Sequence, residues 1–324
     1  MPLHRRPLLT AALALPALRH PARAQAGFPD RPIRVVIGYP PGGGVDTVGR
    51  PIMQRLQERL GQPVVIENRA GANGNIAMEH VARAEPDGHT LFLGDSGNLA
   101  ITHALHPNLG FDTQRDFAGV AQLTAGPVVL VIPASLPAAS LGAFVALLRA
   151  RPGHYNFGSA GIGSGPHLFY ESWRRAAGVE MLHVPYRGTG PALQGMLAGD
   201  VQLMIGNYGV FRGAAEGGRV RVLAISTPTR HPALPEVPTA QEAGVDWTMV
   251  GFNAVVAPAR IPPERRQALE DAFRAVMAMP ETVAQMIGFG SIVAFAPGAE
   301  LDRRMREDRA AWTRLVQAAN IKAE

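Results

Sequence analysis

Ile33-Arg34-Val35-Val36-Ile37-Gly38-Tyr39-Pro40-Pro41-Gly42-Gly43-Gly44-Val45-Asp46-Thr47-Val48-Gly49-Arg50 is a β-branched run, a proline-glycine corner and a helix start in immediate succession. The glycines Gly42, Gly43 and Gly44 let the backbone turn tightly with its N–H groups uncovered. A helix beginning near Asp46 adds the positive end of its dipole at the same place, so the corner suits an anion. Glycine corners recur at 158–165 and 185–191. Their convergence on one small carboxylate-like ligand is the expectation around which the rest of the chain is read.

Arg5 and Arg6 precede an apolar run at 8–18, and Ala24-Gln25-Ala26 is a small-x-small cleavage site. Residues 1–26 therefore read as a signal peptide cleaved after Ala26. No later segment reaches the roughly 18 uncharged apolar residues of a spanning helix, so an exported, periplasmic product is expected. The net charge of +5 includes Arg5, Arg6, Arg19 and Arg23; without them 27 basic residues face 26 acidic ones. A nucleic-acid partner is not expected from that balance. The absence of cysteine excludes disulfides, thiolate metal sites and a cysteine nucleophile.

From 33 to 123 the pattern alternates strand and helix: strands at 33–39, 64–67, 90–93 and 117–123, helices at 45–60 and from 74 to 83. Pro51 should disturb the first of these helices, because it deletes a backbone hydrogen bond. Thr124-Ala125-Gly126-Pro127 reads as a turn and a change of lobe. Strands at 128–132, 155–158, 181–184, 201–205 and 220–226 and helices at 140–149, 165–177 and 191–198 make a second unit, with Ser140 as an N-cap. The proline-punctuated stretch 227–238 is long enough to return to the first lobe. A strand at 253–257 and helices from Pro262-Pro263, at 281–287 and at 299–319 close the chain. The expected domains are 27–124 with 228–324, and 125–227, each a parallel sheet with helices on both faces.

Several chemistries are excluded by residue type. Gly42-Gly43-Gly44-Val45-Asp46 carries an acid where a phosphate-binding loop needs lysine. Gly161-Ile162-Gly163-Ser164-Gly165-Pro166 puts proline where a dinucleotide fingerprint needs its third glycine. His103 and His106 lack a metal-ligand partner motif, and neither metal nor cofactor is expected. Leu93-Gly94-Asp95-Ser96-Gly97 resembles the nucleophile block of GDSL-type esterases, which gives a secreted serine hydrolase using Ser96 as the alternative function. None of the ten histidines follows an Asp by three residues, as that class requires. A serine in a glycine turn more often hydrogen-bonds backbone or ligand than attacks.

The binding candidates follow from the corners. Ser159, Ser164 and Thr189 either cap the helices behind them or reach a ligand at the C-terminal ends of parallel strands. Asp46 either contacts a cationic ligand group or complements the helix dipole. Arg187 either pairs with a ligand carboxylate or lies on the loop rim. Tyr39 and Tyr186 offer flat walls or core packing. Glu67, Asn68 and Arg69 read as turn-fixing residues.

Ordered motifs also carry a family resemblance. They are Pro41-Gly42-Gly43-Gly44-Val45-Asp46 ending in Arg50, Glu67-Asn68-Arg69-Ala70-Gly71-Ala72-Asn73-Gly74, and Pro86-Asp87-Gly88-His89-Thr90-Leu91. Pro185-Tyr186-Arg187-Gly188 with Pro191-Ala192-Leu193, Gly199-Asp200-Val201, and Pro235-Glu236-Val237-Pro238-Thr239 before Glu242-Ala243-Gly244 continue the series. Over its mature length the chain resembles the Bug-type (TctC-like) extracytoplasmic substrate-binding proteins of tripartite tricarboxylate transporters. The resemblance implies a two-lobed α/β periplasmic-binding-protein fold, type II-like, with crossing strands between the lobes. It implies no enzyme activity, and capture by lobe closure of a di- or tricarboxylate, acidic amino acid or aromatic acid. It further implies a monomer that serves integral-membrane transporter subunits or a sensor. Carried over by position, Pro41 to Asp46, then Ser159, Ala160, Gly163 and Ser164, then Tyr186, Arg187, Gly188 and Thr189 line the cleft, together with Tyr39 and Ser96. The chain departs from the family pattern at Gly49-Arg50-Pro51, at Gln202 and at Gly206-Asn207-Tyr208; Asn207 is counted with the site, and Tyr208 narrows it or stacks on an aromatic acid.

Overall fold

The β-branched run forms β1 (Ile33–Ile37), which pairs in parallel with β2 (Val64–Asn68) on one side and β3 (Thr90–Asp95) on the other. The coordinates are a computed structural model that describes residues 27–106, 108–319 and 321; the expected signal peptide, 1–26, lies outside the described residues. Ile33, Val35 and Ile37 point to one face, against Val45, Val48, Ile52 and Leu56 of α1 (Gly44–Leu60). Val36 points to the other, against Ala77, Met78 and Val81 of α2 (Asn75–Ala82). Successive side chains of a strand alternate faces, so a sheet with helices on both sides demands a continuously apolar strand. Val35, Val36 and Ile37 meet that requirement, whereas Arg34, near the start of the strand, is exposed. α1 continues through Pro51 as one helix.

After β3 a wide helical turn, Gly97–Ile101, leads into the short α3 (Thr102–Leu105), where the sequence reads only as loop. The 17-residue β4 (Phe117–Pro133) follows. The second unit comprises α4 (Leu141–Ala150), β5 (Asn156–Ser159), α5 (Gly165–Ala177), β6 (Leu182–Pro185), α6 (Thr189–Ala198), β7 (Leu203–Asn207), α7 (Tyr208–Glu216) and β8 (Val220–Ile225). The chain closes with β9 (Val250–Pro258), α8 (Pro263–Met277), α9 (Pro280–Gly288), β10 (Ile292–Pro297) and α10 (Gly298–Ala319). Strand order is β2-β1-β3-β9-β4-β7-β5-β6, with β8 and β10 also paired to β4. The sheets are mixed: β1 to β3 and β5 to β7 are parallel, whereas β4, β8, β9 and β10 add antiparallel pairs.

Thr124-Ala125-Gly126-Pro127 is not a turn. These residues lie inside β4, opposite Asn253, Phe252, Gly251 and Val250 of β9, and the strand then continues opposite Asn207 of β7 from Val128. Pro127 stands where the strand leaves one partner for the next, a place that tolerates a missing donor. Every residue of β4 is buried, which overrides local turn propensity. Within this one strand the pairing passes from β9 and β10 to β7 and β8.

Beyond the changeover, Val128, Leu130 and Ile132 pack with Phe157, Trp173 and Leu203, and Val129 and Val131 pack with Ala192, Met196 and Phe211. The return comes later than 227–238. Ala240 donates to Ile225 O at 2.8 Å, Met249 donates to Ser226 O at 2.7 Å, and Val245 and Trp247 join the core around Trp173. β9 makes the return. α10 spans both lobes, with Leu301 and Met305 in the first core and Val316 in the second. The sequence pattern also misses α7 and β10. Gly209 and Gly213 weaken the helical pattern of α7, whose Tyr208, Phe211 and Ala214 are nonetheless buried, so packing decides.

Candidate functional site

The β1–α1, β6–α6 and β7–α7 corners and the ends of β3 and β5 open onto one cavity of about 70 Å³ between the lobes. Its first-lobe wall contains Tyr39, Pro41, Gly43, Gly44, Asp95 and Ser96. The second-lobe wall contains Ala160, Phe169, Gly188, Thr189, Asn207 and Val210, and Gly126, Gly251 and Asn253 of the crossing strands supply the floor. Three helices begin here. α1, α6 and α7 have Gly43, Gly188 and Asn207 at their N-caps, and none of these makes a side-chain capping hydrogen bond. Uncapped first-turn N–H groups from both lobes, each with a helix dipole behind it, bring partial positive charge to the cavity without a cationic side chain.

The lobes touch around this space. Asn73 Nδ2, from the loop after β2, donates to Ile162 O in the loop after β5. A Cβ on Gly44 would stand 2.9 Å from Asn207 Nδ2, and one on Gly188 would stand 3.4 Å from Pro40 Cγ. The two halves are closed on each other.

Ten of the residues singled out by sequence meet at the cavity: Tyr39, Pro41, Gly43, Gly44, Val45, Ser96, Ala160, Gly188, Thr189 and Asn207. The others stand behind it or beside it. Asp46 accepts from Gly42 N at 2.9 Å, from Arg50 Nε and Nη2 at 2.8 Å, and from Asn68 Nδ2 at 3.0 Å. Burial pushes its carboxyl up, but the bonds from Arg50, Gly42 and Asn68 outweigh burial and leave the pKa below the usual range. Asp46 and Gly42 therefore fix the corner rather than face the cavity. Ser164 caps α5, accepting from His167 N at 3.4 Å, and Gly163 N donates to His167 Nδ1 at 3.0 Å. Ser159 Oγ contacts His183 Nε2 at 2.6 Å and accepts from Gly161 N. Tyr186 and Arg187 line a separate outer opening of about 540 Å³, shared with Asn73 and Gly161.

Phe169, Asn253 and Asp95 complete the cavity, although the sequence pattern does not single them out as site residues. A polar residue at the head of an otherwise apolar strand is the signal for Asn253, which bonds Thr124 Oγ1 at 2.9 Å. Asp95 Oδ1 accepts from Asn98 N at 3.1 Å and from Tyr39 OH at 3.3 Å. Burial raises the Asp95 pKa above its ordinary value against the backbone N–H bonds of Asn98 and Gly97. Burial, and then the neighbouring Asp95, raise that of Tyr39. Among the described residues no cluster of three or more His, Cys, Asp or Glu is placed to hold a metal.

A two-lobed α/β fold with crossing strands and an interlobe cavity is that of the periplasmic binding proteins. The family described as "Tripartite tricarboxylate transporter family receptor" matches residues 48–321, and the chain belongs to it. Protein BugT of Bordetella pertussis is 36% identical over 73% of each chain. The adipate-bound R. palustris Rpa4515 has a TM-score of 0.88 at 31% identity, covering 91% of this chain and 99% of its own. MatC (Rpa3494) from Rhodopseudomonas palustris, with bound malate, has a TM-score of 0.83 at 32% identity, covering 89% and 100%. The periplasmic binding protein BugD has a TM-score of 0.86 at 26% identity, covering 92% and 100%. The family is one of transporter receptors, and among the described residues the serine hydroxyl that meets a histidine ring is that of Ser159, fully buried behind the cavity wall, rather than that of Ser96.

Proposed function

We propose that this chain is an exported periplasmic receptor that encloses a small carboxylate between its lobes and hands it to integral-membrane subunits of a tripartite tricarboxylate-type transporter. One observation carries the reading: three uncapped helix N-termini, one from the first lobe and two from the second, meet at a single cavity between the lobes. An anion there draws on amides from both halves only when they are together, so its differential affinity favours the closed state. The adipate and malate bound by the two R. palustris relatives support the same ligand class. Cleavage after Ala26 and a monomeric mature chain belong to this proposal; among the described residues no helix is long and apolar enough to cross a membrane.

Thermal-shift screening against C4 to C6 mono-, di- and tricarboxylates, including amino and aromatic acids, tests it. A ligand at 100 times its Kd adds about 2.7 kcal/mol, a rise of several degrees for a protein of this size. No rise across such a panel contradicts the proposal.

A further inference from the structure

Asp95 is the one charged side chain on the cavity wall among the described residues; no Lys, Arg or His lines it. The carboxyl is fixed in place, with Oδ1 held by Asn98 N–H and by the Tyr39 hydroxyl. Tyr39 is itself held by Asn98 Nδ2 at 3.2 Å, so the carboxyl, phenol and amide form a short chain at the end of β3. Burial raises the Asp95 pKa, against the hydrogen bonds its carboxyl accepts from the Asn98 and Gly97 N–H groups and from Tyr39. A carboxyl at such a place is costly unless something pairs with it, and it repels any purely anionic guest beside it. Meanwhile the uncapped N-termini of α1, α6 and α7 supply partial positive charge around the same cavity. The cavity thus carries an anion-favouring rim and one fixed, negatively charged hydrogen-bond acceptor.

We infer that Asp95 is a specificity-determining residue that receives a protonated amino group of the ligand, so the preferred guest is an amino-carboxylic acid whose carboxylate lies on the helix N-termini. This rests on the carboxylate-receptor reading above and narrows its ligand class. The zwitterion satisfies both halves of the cavity, with the ammonium donating to Asp95 and the carboxylate accepting from backbone amides. A plain diacid of the same length satisfies one half and meets repulsion at the other.

The test is calorimetric titration of the full mature protein with matched pairs that differ by the amino group: succinate with aspartate, glutarate with glutamate, and valerate with norvaline. Wild type is expected to bind the amino member of at least one pair tenfold or more tighter than its parent acid. Asp95→Asn retains Oδ1 as acceptor for Asn98 N–H and Tyr39 OH, and should lose at least tenfold for that amino acid while gaining affinity for the parent acid. Asp95→Ser, with the same expectation, serves if the Asn variant does not fold. Parent acids binding as tightly as amino acids in wild type, or both members weakening alike in a folded variant, overturns the assignment of Asp95 and leaves the receptor reading intact. Absence of binding by every acid in a broad panel overturns the receptor reading and this inference with it.

Discussion

Asn207 Nδ2 stands 2.9 Å from the point a Cβ on Gly44 would occupy, so the first residue of α1 and the residue before α7 meet across the cleft with room for a hydrogen and little more. Closure depends on that fit. Gly44→Ala forces the amide of Asn207 to move or the lobes to part. It should weaken ligand affinity about tenfold, roughly 1.4 kcal/mol, while leaving the thermal midpoint of the unliganded protein within a degree or two. Titration calorimetry with a ligand found by the thermal screen, alongside an unliganded melt, checks this.

Gly43, the N-cap of α1, makes no side-chain cap and lines the cavity. A Cβ there would lie 3.3 Å from Pro40 O and 3.8 Å from Tyr39 Cβ. Gly43→Val should cover the first-turn amides and reduce affinity a hundredfold or more with the fold retained. Equal affinity in the variant would place the ligand elsewhere.

Asn73 supplies a hydrogen bond from the first lobe to Ile162 O in the second. Asn73→Ala removes one closing contact and no wall of the cavity. Its effect should appear mainly as a faster off-rate, about three- to tenfold, with the on-rate little changed. Stopped-flow binding separates the two.

His167 and His183 stack at 4.2 Å between centroids, beside Phe157. Burial lowers His167 to about 4, with Arg174 adding to the shift. Burial, with His167 adding to it, lowers His183 to about 3. Both values lie below the unfolded 6.5, so the unfolded chain binds more protons once the pH falls under about 6.5. Stability is full above that value and declines as the pH falls toward 4 and then 3. Chemical denaturation from pH 7 to 4 should show the decline, and His167→Gln with His183→Gln should flatten it relative to wild type.

The first lobe was legible because its signals are local. A β-branched run followed by three glycines has few alternatives, and Val48, Ile52 and Leu56 recur at helical spacing, as the burial of that face of α1 bears out. Local signals serve the second unit too, where Ser140 reads as a cap and is one, accepting from Ala143 N at 3.2 Å. What failed to show is what depends on distant partners. Gly126 and Pro127 look like a turn because nothing nearby reveals the β9 strand, more than 120 residues on, that holds them extended. Asp95 sits in a conspicuous Gly-Asp-Ser block, yet its importance comes from the absence of cations on walls contributed by seven other segments. Gly188 rather than Thr189 is the N-cap of α6, which frees Thr189 to line the cavity, a distinction of one residue that composition does not make.

The shared use of backbone amides from both lobes by one anion is tested most directly by a 15N-resolved NMR titration of the mature protein with a carboxylate that stabilises it. Large downfield amide shifts are expected at Gly44 and Val45 and, with the same dissociation constant, at Thr189 and Tyr208. Shifts confined to one lobe, or fitting different constants in the two lobes, would contradict it.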